Sequence, residues 1–130
     1  MRRGPLNWAM TPESFRKIAL DMPLAEEGSH MGHTDFRVKG RIFATLPPPL
    51  KDRPDELLGM VKLTPEQQRK AVGPKAGAFF PVQGAWGVRG ATYVRLKKAR
   101  TAEVRRAMIA AWGNAAPPTA VRAFEGEHAD

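Results

Sequence analysis

Three groups of residues carry side chains able to do chemistry. The first is His30, His33 and Asp35. Two imidazoles and a carboxylate this close together suggest a metal site or an acid–base pair, yet a metal site needs a further converging ligand. Ahead of a hairpin, such a histidine more often orders a turn by hydrogen bonds. Glu26 and Glu27 are adjacent and point differently in most conformations, which makes them a poor acid–base pair. The chain has no cysteine, so disulfides, thiolate zinc sites, iron–sulfur clusters and thiol nucleophiles are excluded. No phosphate-loop, dinucleotide or serine-hydrolase signature is present. The expectation is a non-catalytic protein with no cofactor and no metal.

The second group is cationic. The 130 residues hold 21 Lys+Arg against 13 Asp+Glu, a formal net charge of +8, which favours a polyanionic partner. Residues 89–106 contain Arg89, Arg95, Lys97, Lys98, Arg100, Arg105 and Arg106, with Glu103 their only acid. Arg37, Lys39 and Arg41 form a second cluster. Phosphates are held by this kind of sequence-independent cationic surface. The third group is aromatic: Trp86, inside Gly84-Ala85-Trp86-Gly87-Val88-Arg89-Gly90, and Tyr93 flank the larger basic cluster. Both could stack on unpaired bases, and the glycines leave backbone N–H groups free to approach an anion. No helix-turn-helix, zinc finger, RNA-recognition aromatic pair or KH loop is present, so base-specific readout is unsupported.

The elements that must position these groups are legible from caps and periodicity. Thr11-Pro12-Glu13 opens a helix whose Phe15, Ile18, Ala19 and Met22 share one face. Phe36–Val38 and Arg41–Thr45 form a hairpin around Gly40. A two-residue loop sets Arg37 opposite Ile42 and Phe36 opposite Phe43, whereas a longer, bulged loop sets Val38 and Ile42 on one face; both registers remain open. Pro47-Pro48-Pro49 to Gly59 is a connection, because consecutive prolines cannot occupy a central strand. Met60–Leu63 is a third strand. Thr64-Pro65-Glu66-Gln67 is a capping box, and Gly73-Pro74 stops that helix after about two turns. Ala78–Val82 and Thr92–Leu96 are strands. Thr101 caps a last helix carrying Val104, Ala107, Met108, Ala111 and Trp112 on one stripe.

Residues 1–9 read as an N-terminal extension before Met10, 10–116 as one domain, and 117–130 as a flexible tail, with Val121 and Phe124 able to dock on the body. The order is helix, three strands, helix, two strands, helix. That order predicts an α+β protein with a two-layer architecture, its five-stranded antiparallel sheet covered by helices. No export signal is visible and no apolar run approaches the ~18 residues of a membrane span, so a cytoplasmic protein without a membrane partner is expected.

The stretch Gly32-His33-Thr34-Asp35-Phe36-Arg37-Val38-Lys39-Gly40-Arg41-Ile42-Phe43-Ala44 resembles the MmcQ/YjbR family pattern Gly-His-x-x-Phe-x-Val-x-x-Lys-Ile-Phe-Ala. Arg41 stands where that family usually has lysine, which preserves the charge. Trp86-Gly87-Val88-Arg89-Gly90 is similar to a second family segment, although Ala91 and Thr92 stand where a tryptophan is common and Tyr93 is the nearest aromatic. The resemblance runs from about Met10 to about Pro117, and Thr11–Phe15 resembles the family's opening. It implies an αβββαββα order, akin to secretion-chaperone and frataxin-like folds, and a DNA-binding role. Taken with the charges, the expectation is a monomer that binds nucleic acid, DNA rather than RNA, without strong sequence specificity. The contacts would be Arg89, Tyr93, Arg95, Lys97 and Lys98, with Arg37, Lys39 and Arg41 as a second patch and Trp86 stacking. An acidic protein partner fits the same charge, and a chaperone-like protein- or peptide-binding module is the alternative.

Overall fold

Thr11 is the cap of the first helix, α1 (Pro12–Leu20): its side chain accepts from the Ser14 backbone N–H, and Ser14 answers by accepting from the Thr11 N–H. A computed structural model of the protein describes residues 10–74 and 77–128. The expected extension at 1–9 lies outside the described residues. Met10, just before the cap, is buried, as are Phe15, Ile18 and Ala19 on the inner face of α1.

Two hairpins follow. β1 (Ala25–His30) pairs along its whole length with β2 (His33–Val38), and β2 pairs with β3 (Arg41–Thr45). Both turns have two residues with positive φ, Met31 and Gly32 in the first and Lys39 and Gly40 in the second, the conformation whose twist matches that of antiparallel strands. The second turn decides the register. Val38 faces Arg41 and Arg37 faces Ile42, as the two-residue loop requires, but an irregularity between Phe36 and Arg37 sets Phe36 opposite Ala44. The additional residue, Phe43, is thereby buried in the core.

After the proline connection, β4 (Leu58–Lys62) lies between β3 and β6 (Ala91–Arg95), and β5 (Phe79–Pro81) forms the far edge. Pro81 fits there because an edge strand tolerates a missing N–H. The sheet order is β1-β2-β3-β4-β6-β5, all antiparallel. α2 (Pro65–Val72) has the expected reciprocal cap between Thr64 and Gln67, and Gly73 ends it with a φ of 67°. α3 (Ala85–Val88) occupies the glycine-rich segment, α4 (Thr101–Ala115) is the long helix, and α5 (Pro118–Glu127) closes the chain.

The α+β class stands, with an open antiparallel sheet of six strands and five helices among the described residues. The five-strand count and the αβββαββα order are corrected by β1, α3 and α5. β1 escapes periodicity because Ala-Glu-Glu-Gly-Ser-His has no apolar alternation; an edge strand is held by its backbone ladder and needs only one buried flank. The expected flexible tail is likewise a helix, where Phe124 packs on Trp112 with ring centroids 5.3 Å apart. Val121 and Phe124 both rest on the core. Thr101 is the first residue of α4 rather than its cap: Arg100 precedes it, and its N–H donates to Glu103.

α1 and α4 cover one sheet face, enclosing Phe36, Phe43, Val61, Val94, Leu96, Met108 and Trp112. Trp112 also donates its indole N–H to the Pro23 carbonyl at 2.9 Å, which satisfies the one polar atom of an otherwise apolar core residue. The strand register places Asp35, Thr45, Met60, Tyr93 and Phe80 together on the opposite face. Among the described residues no helix is long and apolar enough to cross a membrane.

Candidate functional site

The polarity of the strands decides which cations can meet. β3 begins at Arg41, β4 ends at Lys62 and β6 begins at Ala91, so these three residues share one end of the sheet. α3 sits beside that end and carries Trp86, which is 59% exposed. Its position is set by close backbone packing: a Cβ at Gly87 would collide with the Val82 carbonyl, and one at Gly90 with the Leu63 carbonyl. Gln68 of α2 ties the segment down by donating to the carbonyls of Gly87 and Ala91, both at 3.0 Å.

Around Trp86 the cations converge. Lys62 Nζ lies 5.4 Å and the Arg89 guanidinium 6.0 Å from its ring centroid, distances at which the ring quadrupole attracts a cation. Arg41, Lys62, Arg89 and Trp86 line one cavity of about 450 Å³. Among the described residues, no carboxylate comes within 4.0 Å of any of these three cations. A second hollow of about 550 Å³ runs from Trp86 over the sheet face opposite α1 and α4, past Met60 and Tyr93 to His30 and His33. Ile42, Lys62, Trp86 and Ala91 belong to both.

Other expected contacts are spent inside the fold. Arg95 is the clearest case. Its Nε lies 3.1 Å from Glu56, its Nη1 donates to the Gly77 carbonyl at 2.9 Å, and its guanidinium stacks 4.2 Å over Phe80. Arg53 also reaches Glu56 and the Phe80 ring. Arg37 is similarly engaged: its Nε donates to Asp35 Oδ1 at 2.7 Å and its Nη2 to Oδ2 at 3.0 Å. Asp35 is fully buried and also accepts from His30 Nδ1 at 2.7 Å. The hydrogen bond from Arg37 holds the Asp35 carboxyl below the usual carboxylate range, against the opposing effect of burial, with His30 helping; Asp35 in return raises Arg37.

Lys97 and Lys98 are exposed but follow the C-terminal end of β6, the opposite end of the sheet from Trp86. Lys39 is exposed in the turn before Arg41. Arg105 and Arg106 are exposed on α4, in the helical layer. The sequence-contiguous cluster is thus divided, and Tyr93 leans on Phe80 at 5.2 Å while lining the sheet-face hollow. No protein-family model and no curated protein matches this chain.

Lys62 was not among the expected contacts. The signal for it lay in the alternation of Met60-Val61-Lys62-Leu63, which sets Lys62 on the face opposite Val61. His30, His33 and Asp35 do come together, as an Asp35–His30 pair with His33 edge-on to His30 at 5.2 Å. Among the described residues no group of three or more His, Cys, Asp or Glu side chains is arranged to hold a metal ion. Glu27 is paired with Arg16 at 2.8 Å, which raises the arginine further.

Proposed function

We propose that the protein is a non-catalytic nucleic-acid-binding domain, DNA being the preferred partner, that works as a cytoplasmic monomer without strong sequence specificity. The observation that carries this reading is the exposed Trp86 ring flanked by Lys62 and Arg89, with Arg41 lining the same cavity, all three cations without a carboxylate partner among the described residues. Such a group offers a stacking platform and phosphate contacts at one place. The reading therefore moves the contact surface from β6 to the Trp86 end of the sheet, with Lys39 at its margin. The MmcQ/YjbR resemblance belongs to the same reading: its motif spans β2 and β3, and the layer of α1 and α4 on one sheet face is compatible with secretion-chaperone and frataxin-like relatives.

The test is fluorescence anisotropy of labelled mixed-sequence DNA and RNA at low salt, with wild type and Trp86→Ala. Binding that falls about ten-fold in the variant supports the reading, since one stacked base is worth roughly 1–3 kcal/mol. Absence of binding at low salt removes it. The peptide-binding alternative is favoured by one observation, the hollow flanked by Met60, Tyr93 and Pro47 on the sheet face opposite α1 and α4. It predicts capture of apolar peptides with little salt dependence.

A further inference from the structure

The two hollows that meet at Trp86 differ in chemistry. On one side stand Arg41, Lys62 and Arg89. On the other, the sheet face offers Met60, Val82 and Tyr93, ending at two imidazoles. Lys62 and Trp86 line both, so an occupant passing Trp86 has an anionic part on one side and a largely apolar, hydrogen-bonding part on the other. A nucleotide has this division: a phosphate, then a flat base whose edge carries donors and acceptors.

The polar end of the sheet-face hollow is built for such an edge. Asp35 accepts two bonds from Arg37 and one from His30 Nδ1. As a carboxylate it cannot donate, so His30 Nδ1 carries the proton and Nε2 is the ring nitrogen left for an occupant. The same pair holds the ring in place. Next to it, His33 Nδ1 is shielded from solvent and has no hydrogen-bond partner among the described residues. That atom is closed to an occupant, so the His33 ring meets one through Nε2, its other nitrogen, on the side that lines the hollow.

We infer that the sheet-face hollow receives the base of one unpaired nucleotide of a strand, stacked on Trp86, with its own and the adjoining phosphates held by Arg41, Lys62 and Arg89 and its edge met by His30 and His33. The inference rests on the proposed nucleic-acid role and specifies it: the protein engages unpaired nucleotides rather than the duplex surface.

The experiment compares three labelled DNAs of equal length by fluorescence anisotropy: a single strand, the same strand built from abasic residues, and a blunt duplex. Charge per strand is the same in the first two, so only the base differs. The single strand should bind about ten-fold tighter than the abasic strand. Val82→Trp, which narrows the hollow beside Trp86 without altering a charge, should remove that difference by lowering single-strand affinity to the abasic level. His33→Ala should reduce it, and thermal melting checks that both variants fold. Equal affinity for normal and abasic strands overturns the inference and leaves the nucleic-acid reading intact, as does a preference that survives Val82→Trp in a folded variant. Failure of all three DNAs to bind overturns both.

Discussion

Replacing cations one at a time tests whether the Trp86 cluster, and not β6, faces the phosphates. Three cations without a carboxylate partner among the described residues, Arg41, Lys62 and Arg89, line the cavity beside Trp86. If each neutralises one phosphate of a single strand, the slope of log affinity against log salt is about 0.7 per contact, hence roughly −2 in total. Raising salt from about 50 to about 200 mM should then weaken binding about 20-fold. Removing one of the three should cut that loss to roughly 7-fold, because the slope falls to about −1.4. Arg95→Ala should behave differently. Its guanidinium already serves Glu56, the Gly77 carbonyl and the Phe80 ring, so the slope should stay as in wild type while stability drops. The assay is a salt titration of anisotropy on a labelled single strand, paired with thermal melts. A slope that flattens as much for Arg95→Ala as for Arg89→Ala would refute the division between structural and available cations.

Three further outcomes follow from the packing. Asp35→Asn should lower stability at neutral pH by about 2–3 kcal/mol, less than for a fully buried ion pair because Arg37 and His30 are partly solvated. Because the folded Asp35 carboxyl is held below its unfolded value of about 3.9, its contribution is complete above that pH and is lost as pH falls through the folded value, so melts of wild type and variant should converge in acid. Gly87→Ala should cost about 1–3 kcal/mol, since its Cβ would meet the Val82 carbonyl, and should displace Trp86 enough to change its fluorescence. Ending the chain after Ala116 should remove Phe124 from Trp112 and lower the melting temperature by roughly 5 °C without unfolding the domain.

Caps and apolar stripes made α1, α2 and α4 legible because those signals are local. Thr11, Thr64 and the Val104–Trp112 stripe act within a few residues of themselves. β1 and α5 were not legible for the opposite reason. The Glu26–Glu27 pair and Gly28 form a strand only because β2 lies alongside. The Phe124 segment has proline at its start but no side-chain cap, and it is a helix that docks on Trp112. The candidate site follows the same rule. Trp86 and Arg89 were visible as neighbours in sequence, whereas Lys62 and Arg41 join them only through the pairing of β4 with β3 and β6. The loss of Arg95 depends on Glu56, which reaches it across the sheet.

A formal charge of +8 sums the whole chain, but a polyanion responds to cations that are near one another and unpaired. Arg16, Arg37, Arg53 and Arg95 each lie within ion-pair distance of a carboxylate. Their charges still enter the net total while their donors are committed, so they add long-range attraction and few new contacts. Arg41, Lys62 and Arg89 differ in having no such commitment among the described residues and in lining one cavity with an exposed aromatic ring, over which Lys62 and Arg89 lie. Placement therefore matters more than number. The basic excess of residues 89–106 is divided between both ends of the sheet and the helical layer, whereas a smaller group drawn from two strands' ends and the α3 segment has the geometry to meet a phosphate next to a base. If a surface-charge reversal at Lys97 and Lys98 weakened binding as much as one at Lys62 and Arg89, attraction would be set by total charge, and the local arrangement around Trp86 would have no special role.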